Sequence, residues 1–443
     1  MTDLGTSRRT LLKAVGPVLL RATGLVTVQA AGAGGCARDP DAVEVVVMWS
    51  GGELGAFRAV VNEFSRESGR PVRIVPVGEQ VHELLQARLD ADNPPDVAVV
   101  PLPGLIKAYA REHRVMPIDP ALAEGVPKDL LESVTVDGEL FGLWVKAAHK
   151  SLFWYRPSTL AGTAPPGTWS DLLAIVRTMA LSSRAPLSIG AADGWVVTDW
   201  FENVLAGLDG GEVYRQLARG ENQWRSDVVR KALARLGEAW SIAGAFPDGP
   251  ARALLTQFEE SVFDVFTNDR AGMVFEGDFV AAVVERLRRA GRLPESPLVF
   301  RFPATDGPPP LVVGGDVAAR MTESPGSREL IQWLARPGSL DSWIKRGGFL
   351  SPNLNTPPDR YPTPLARMLA AEIRTEKVHF DLSDQLTGRL SSSQGRGLAQ
   401  ILTEFFAAVS VPGGDRSALI ERVQAQLADA AEWDLPRVQE ARY

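Results

Sequence analysis

One cysteine, four histidines and five tyrosines are all that the 443 residues contain of those types. A lone cysteine excludes an internal disulfide and a thiolate-held metal cluster. The histidines (His82, His113, His149, His379) are scattered and form no HExxH-like pair. A histidine metal centre is therefore not expected, while carboxylate-only sites stay open. No block of Lys and Arg interleaved with aromatics occurs, and the formal net charge is −7, which argues against nucleic acid as a partner. The nucleophile-elbow pattern GxSxG and the phosphate-binding P-loop are missing. Nothing in these patterns calls for a cofactor. A clean apolar run of about 20 residues, enough to cross a membrane, is missing too. Residues 14–35 are apolar, but Gly16, Pro17, Arg21 and Gly24 interrupt them.

The composition, 45% hydrophobic and 23% charged, is that of a globular protein, and the length allows two domains. Eleven tryptophans against five tyrosines make the position of each tryptophan informative. The opening segment reads as an address. Ser7-Arg8-Arg9-Thr10-Leu11-Leu12-Lys13 resembles the twin-arginine export signal, ahead of a modest apolar stretch and small residues. Ala33-Gly34-Gly35-Cys36 resembles the lipobox of bacterial lipoproteins, with Ala33 where Leu is usual. The expectation is a signal peptide over 1–35 and a lipidated Cys36 with a spacer over 36–42. Such a lipid would anchor the protein on the outer face of the cytoplasmic membrane, whereas an ordinary cleavage near Ala31 or Ala33 would leave it in the periplasm.

Beyond the spacer, hydrophobic period alternates between strand and helix. Val43 to Trp49 is a Val-rich run suited to a strand buried on both faces. Leu54, Phe57, Val60, Val61 and Phe64 follow at helical spacing and stop at Gly69. Strands over 71–77 and 96–101 and helices carrying Val81–Leu89 and Leu105–Tyr109 complete a βαβαβα order, which implies a parallel sheet covered by helices. Ligands bind outside the carboxyl ends of such strands. That nominates the loops Trp49–Glu53, Gly78–Gln80 and Pro101–Gly104. Residues 139–157 read as strand, crossover, strand. A helix over 168–180 is expected to be capped by Ser170. Further helices fit 198–208, 226–243, 251–266, 277–290, 327–335 and 396–409.

In order along the chain, "VEVVVMWSGGELGAFRAVVNEFSRESG", "NPPDVAVVPLPGLIKAYAREHRVMPID", "SLFWYRPSTLAGTAPPGTWSDLL", "RAGMVFEGDFV", "VVGGDVAARM" and "GGFLSPN" resemble the family 1 extracellular solute-binding proteins of ABC importers. "GAADGWVVTDWFENV" and "FDLSDQL" bring the α-glucoside-binding branch to mind most closely. Leu102 stands where that branch commonly has Gln, and residues 391–402 lack its Phe-Trp pair. The resemblance implies an α/β, two-lobed fold of the type II periplasmic-binding-protein kind, with the ligand cleft between the lobes. It places the first lobe at 41–146 plus 316–352 and the second at 147–315 plus 353–443. The chain crosses between them near Ala147, Gly315 and Pro352. It further implies a monomeric, exported receptor with a carbohydrate ligand and membrane-spanning permease subunits as partners.

A neutral sugar offers hydroxyls and apolar C–H faces, so its site needs polar side chains beside flat aromatic rings. In the first strand-end loop these are Trp49 and Glu53, with Gly51 and Gly52 allowing close backbone approach. Lys146 and His149 lie at the first crossing. Trp195, after the Asp193-Gly194 turn, is either a stacking platform or a tryptophan packed on its own helix. Asp199 follows it. Glu276, Asp278 and Phe279 lie at a strand-to-helix turn, where Asp278 could instead cap the helix. Gly315 and Asp316 sit at the second crossing. Asp381 and Asp384 are equally suited to capping a helix. The remaining tryptophans considered (Trp144, Trp154, Trp169, Trp240, Trp333, Trp343, Trp433) and Trp200 fit core positions. The competing readings are the same fold with a non-sugar solute, such as a glycerol phosphodiester or a peptide, and a glycosidase. The glycosidase needs two carboxylates about 5–10 Å apart across the scissile bond, a role conceivable for Glu53 and Glu276.

Overall fold

The computed structural model of the protein describes residues 41–391, 397–411 and 413–432. Arg8, Arg9, Cys36 and Trp433 lie outside the described residues. The Val-rich run forms β1 (Val43–Val47), buried at every position. The following helix, Gly51–Ser68, buries Ala56, Phe57, Val60, Val61 and Phe64 on one face. It ends at Gly69, whose φ of 74° suits a residue without a Cβ. Strands β2 (Val72–Pro76) and β3 (Val97–Val100) alternate with helices Val81–Asp90 and Pro103–Arg111. Both strands pair in parallel with β1, as the alternating period requires.

The chain then makes a small hairpin, β4 (Thr135–Val136) and β5 (Glu139–Leu140), before β6 (Leu143–His149) and β7 (Leu152–Tyr155). Strands β8 (Ala185–Ser188), β9 (Ala271–Glu276), β10 (Leu298–Arg301), β11 (Val312–Arg320) and β12 (His379–Phe380) complete the set. The first sheet is six-stranded, in the order β12-β11-β3-β1-β2, with β6 also paired to β11. Its added strand β11 runs antiparallel to β3 and to β6. The second sheet has four strands, in the order β10-β7-β9-β8. Only Lys150 and Ser151 separate β6 in the first sheet from β7 in the second. Val312 at the start of β11 is bound to the same link. Its N–H donates to Ser151 Oγ at 2.8 Å, and its carbonyl accepts from Lys150 N at 2.9 Å.

Two buried clusters form the core, and each draws residues from both sheets. One holds β1, β3, Trp49, Phe57, Trp144 and Trp343, and also takes in Val262, Val283, Tyr361 and Leu369. The other holds Phe153, Trp169, Trp200, Trp224, Trp240 and the helices Gly397–Val409 and Arg416–Glu432. Trp144, Trp154, Trp169, Trp200, Trp240, Trp333 and Trp343 are buried, as their spacing predicts. No helix among the described residues is long and apolar enough to cross a membrane.

Local details differ from the sequence reading. Helix Trp169–Met179 is capped by Thr168, not Ser170. Thr168 Oγ1 accepts from Asp171 N while Asp171 accepts from Thr168 N, a reciprocal capping box. The helix expected over 251–266 divides into Pro250–Ala253 and Phe258–Phe266. Gln257 is extended there, and the Asp193 carboxylate accepts the Phe258 N–H at 2.7 Å, which restarts the helix. Asp278 does not cap helix Val280–Arg289, because Phe279 occupies that position. Asp381 does cap, accepting from Asp384 N.

Candidate functional site

A cavity of about 370 Å³ opens where the first sheet meets the second. Residues just beyond the carboxyl ends of β1 and β3 line it: Met48, Trp49, Ser50 and Glu53 on one side, Pro101 and Leu102 on the other. Two of the three nominated loops thus reach it. Beyond β2, its wall is formed by Val81, His82 and Glu83. One face of β6 and its extension, Lys146, Ala148 and Lys150, forms the back. Helices outside the sheets bring Trp195 and Thr198, from Trp195–Ala206, Phe258, from Phe258–Phe266, and Phe279, which precedes Val280–Arg289. Gly315, Asp316, Ser383 and Asp384 close the ring.

Two lysines, Lys146 buried and Lys150 partly exposed, organise the polar part. Lys146 Nζ donates to Glu53 Oε1 at 2.5 Å. Burial alone would lower its pKa, but Glu53, Asp316 and Asp278 more than offset that and raise it. Burial lifts the Asp316 carboxyl to about 6 against the pull of Lys146, and Trp49 Nε1 donates to its Oδ2 at 3.2 Å. Trp49 itself packs into the core, edge-on to Trp343 with ring centroids 4.7 Å apart. Lys150 Nζ donates to Asp381 Oδ2 at 2.5 Å and to Asp199 Oδ1 at 3.2 Å. Burial also opposes the Lys150 charge, but Asp199, Asp381 and Asp384 hold its pKa well above the ordinary value. Burial pushes Asp199 up to about 7 and Asp384 well above the usual carboxylate range.

The apolar part is a triad of partly exposed rings. Trp195 lies 5.7 Å from Phe258 and 5.6 Å from Phe279, and Phe258 lies 5.6 Å from Phe279, centroid to centroid. Helix Trp195–Ala206 starts after Gly194, whose φ of 69° makes the turn. Every residue from Val196 to Ala206 is buried, so Trp195 at the first position, partly exposed, faces the opening. Lys146 Nζ sits 5.8 Å from the Phe279 ring, and Lys150 Nζ the same distance from the Trp195 ring.

The sequence-derived candidates therefore separate. Trp49, Glu53, Lys146, Trp195, Phe279, Gly315 and Asp316 line the cavity. Gly51, Gly52, His149, Asp199, Glu276 and Asp278 do not. Gly51 and Gly52 instead open helix Gly51–Ser68. His149 points away from the cavity, with Nε2 3.0 Å from Glu372, and burial lowers its pKa. Asp199 holds Lys150 from behind. Asp278 accepts the His149 backbone N–H at 2.8 Å, and burial lifts it to about 6. Glu276 is buried, neither carboxylate oxygen has a hydrogen-bond partner among the described residues, and burial raises its pKa well above the ordinary value. The sequence reading missed Lys150, Thr198, Phe258 and Ser383. For Lys150 the signal was present. Alternate residues of a strand share a face, so Lys146 and Ala148 point to residue 150, not 149.

Among the described residues no group of three or more His, Cys, Asp or Glu could hold a metal ion. The arrangement is a recess between two sheets, with strand-end loops below and aromatic rings above. It is built to enclose a small molecule with polar edges and apolar faces.

The chain belongs to the bacterial extracellular solute-binding proteins, whose family model matches residues 59–364. It is 28% identical over 323 residues to the osmoprotective compounds-binding protein GgtB of Synechocystis sp., covering 70% of this chain and 76% of that protein. It is 25% identical to the alpha-glucosides-binding periplasmic protein AglE of Rhizobium meliloti, over 78% of this chain and 79% of that one. Among solved structures, the bacterial solute receptor AcbH, which prefers β-D-galactopyranose exclusively, superimposes with a TM-score of 0.75 at 17% identity, over 88% of this chain and 98% of the other. The fold is thus the two-lobed α/β fold of solute-binding proteins.

Proposed function

We propose that this chain is the carbohydrate receptor of an ABC importer, taking an α-glucoside or a related small glycoside outside the cell and handing it to membrane-spanning permease subunits. The observation that carries this reading is the pairing of an aromatic triad, Trp195, Phe258 and Phe279, with lysines already engaged by carboxylates. Rings cover sugar C–H faces, and lysine–carboxylate pairs give and accept hydroxyl hydrogen bonds. An anionic ligand would instead meet Glu53, Asp316 and Asp384 in the same wall. The α-glucoside ligands of AglE and the galactopyranose of AcbH lie in the same chemical class.

In this reading Trp49, Glu53, Lys146, Lys150, Trp195, Phe279, Gly315 and Asp316 contact the ligand. Asp199 and Asp278 act through Lys150 and the His149 backbone. The lobes divide at 41–146 plus 316–352 and 147–315 plus 353–443. The protein is exported through its twin-arginine segment, lipidated at Cys36, held at the outer face of the cytoplasmic membrane, and monomeric. Mass spectrometry of membrane-derived protein tests the anchor: the mature chain should begin at a lipid-modified Cys36.

The protein is not an enzyme in this account. Glu276 is not part of the cavity wall and so cannot oppose Glu53 across a glycosidic bond. Incubation with a labelled disaccharide tests the function. Intact sugar recovered from the complex supports a receptor, and released hexose supports a glycosidase.

A further inference from the structure

We propose that the cleft is built for a two-ring glycoside, each ring read by its own station of one lysine, one aromatic face and its carboxylates. This rests on the carbohydrate reading and adds to it the length of the ligand. Lys146, Ala148 and Lys150 share the cavity face of a continuous strand path. Four residues of extended chain span about 13 Å, which places the two lysine backbones a disaccharide's length apart rather than at one ring. Between them Ala148 has no side chain beyond Cβ, leaving room for a glycosidic linkage.

Each lysine has its own partners. The first station joins Lys146 to Glu53 and faces the Phe279 ring. The second joins Lys150 to Asp381 and Asp199, faces the Trp195 ring, and has Asp384 in the adjoining wall. One oxygen of Asp384, Oδ2, is buried without a hydrogen-bond partner among the described residues. The two rings stand at 74° to each other with centroids 5.6 Å apart, so one pyranose cannot lie flat on both. Two pyranoses joined by a bent linkage can. The cavity, about 370 Å³, lies at the small end of the range of ligand pockets, about 300–1,000 Å³. That opposes a long oligosaccharide lying wholly inside.

Calorimetry on the purified protein tests this with glucose and galactose, with trehalose, maltose and melibiose, and with maltotriose and raffinose. At least one disaccharide should bind about tenfold or more tighter than its component monosaccharides and than the trisaccharide that extends it. A monosaccharide or trisaccharide binding as tightly as any disaccharide overturns the two-station site and leaves the sugar receptor standing. No binding of any sugar overturns both. Variants separate the stations. Glu53→Gln and Asp384→Asn should each weaken disaccharide binding about tenfold, the loss of one ligand hydrogen bond. Only one of them should change the weaker binding of the monosaccharide. Equal effects of both on the monosaccharide would mean a single-ring site. Thr198→Val probes the second station if Asp384→Asn does not fold.

Discussion

Trp195 is the ring proposed to stack on the ligand: it sits at the first position of its helix, packs against Phe258 and Phe279, and lines the cavity. Truncating a buried aromatic anchor costs about 2 kcal/mol or more, roughly 30-fold in affinity. Trp195→Ala should show that loss by calorimetry, and Trp195→Phe a smaller one. Unchanged affinity with a lowered melting temperature would remove Trp195 from the contact. Asp316 gives a pH signature. Its carboxyl is raised from 3.8 to about 6 by burial. The folded protein therefore binds more protons than the unfolded chain between those values, and stability falls as pH rises through that window. The contribution is fully present below about pH 4 and lost above about pH 6, on the order of 2–3 kcal/mol. Comparing melts of the native protein and Asp316→Asn from pH 4 to 7, the native advantage should shrink as pH rises. An advantage that grows with pH would contradict the buried-carboxyl account. At this scale the sequence pointed to residue types better than to directions. His149 and Lys150 are neighbours, yet one turns to Glu372 and the other to the cavity. Period-two parity separates them only once 143–149 is known to be a strand. Glu276 and Asp278 are likewise polar residues at a strand end. That neither lines the cavity depends on packing from distant elements, such as the His149 backbone that Asp278 holds.

Among the elements, β11 is the most demanding. A Cβ at Gly315 would fall on the Lys146 carbonyl oxygen of β6, a backbone atom that cannot move without opening the pairing. Gly315→Ala should therefore destabilise by about 1–3 kcal/mol, as overpacking does, and weaken ligand binding because Lys146 shifts with its strand. Gly52→Ala is the control. A Cβ there meets nothing within 4 Å, and the residue lies in a helix. It should be neutral or stabilise by up to about 1 kcal/mol. Urea denaturation reads both, and equal effects would show that the clash is not what matters. The elements legible in the sequence are those whose own side chains state their period. The first three βα units match within a few residues, because each strand is a Val-rich run and each helix has one apolar face. Less legible were β8, β10 and β12, at most four residues each and, unlike β3, without a Val-rich run to mark them. The break at Gln257 was hidden for another reason: it depends on Asp193, 65 residues before Phe258, whose N–H it accepts.

For the whole molecule, the two sheets meet around the cavity and also at its lip. A Cβ at Gly51 would stand 3.2 Å from the Arg286 guanidinium, and one at Gly348 2.8 Å from Ala282. In the proposed lobe division these neighbours lie on opposite lobes, so opening the cleft would part them, and a ligand held by both lobes favours the form in which they meet. Saturating sugar should therefore reduce the radius of gyration in small-angle scattering. Binding confirmed by calorimetry with no change in that radius would argue against closure in solution. The link of Lys150 and Ser151 has a further consequence. The strand proposed to contact the ligand is also the one that passes from the first sheet to the second, so in the proposed reading ligand occupancy and lobe angle are coupled. Linkage is reciprocal. Whatever factor the ligand adds to the closed form, a membrane partner that grips the closed form must add to ligand affinity. A partner that then prises the lobes apart must take that factor back, and ligand release would follow without any group in the cavity being chemically altered.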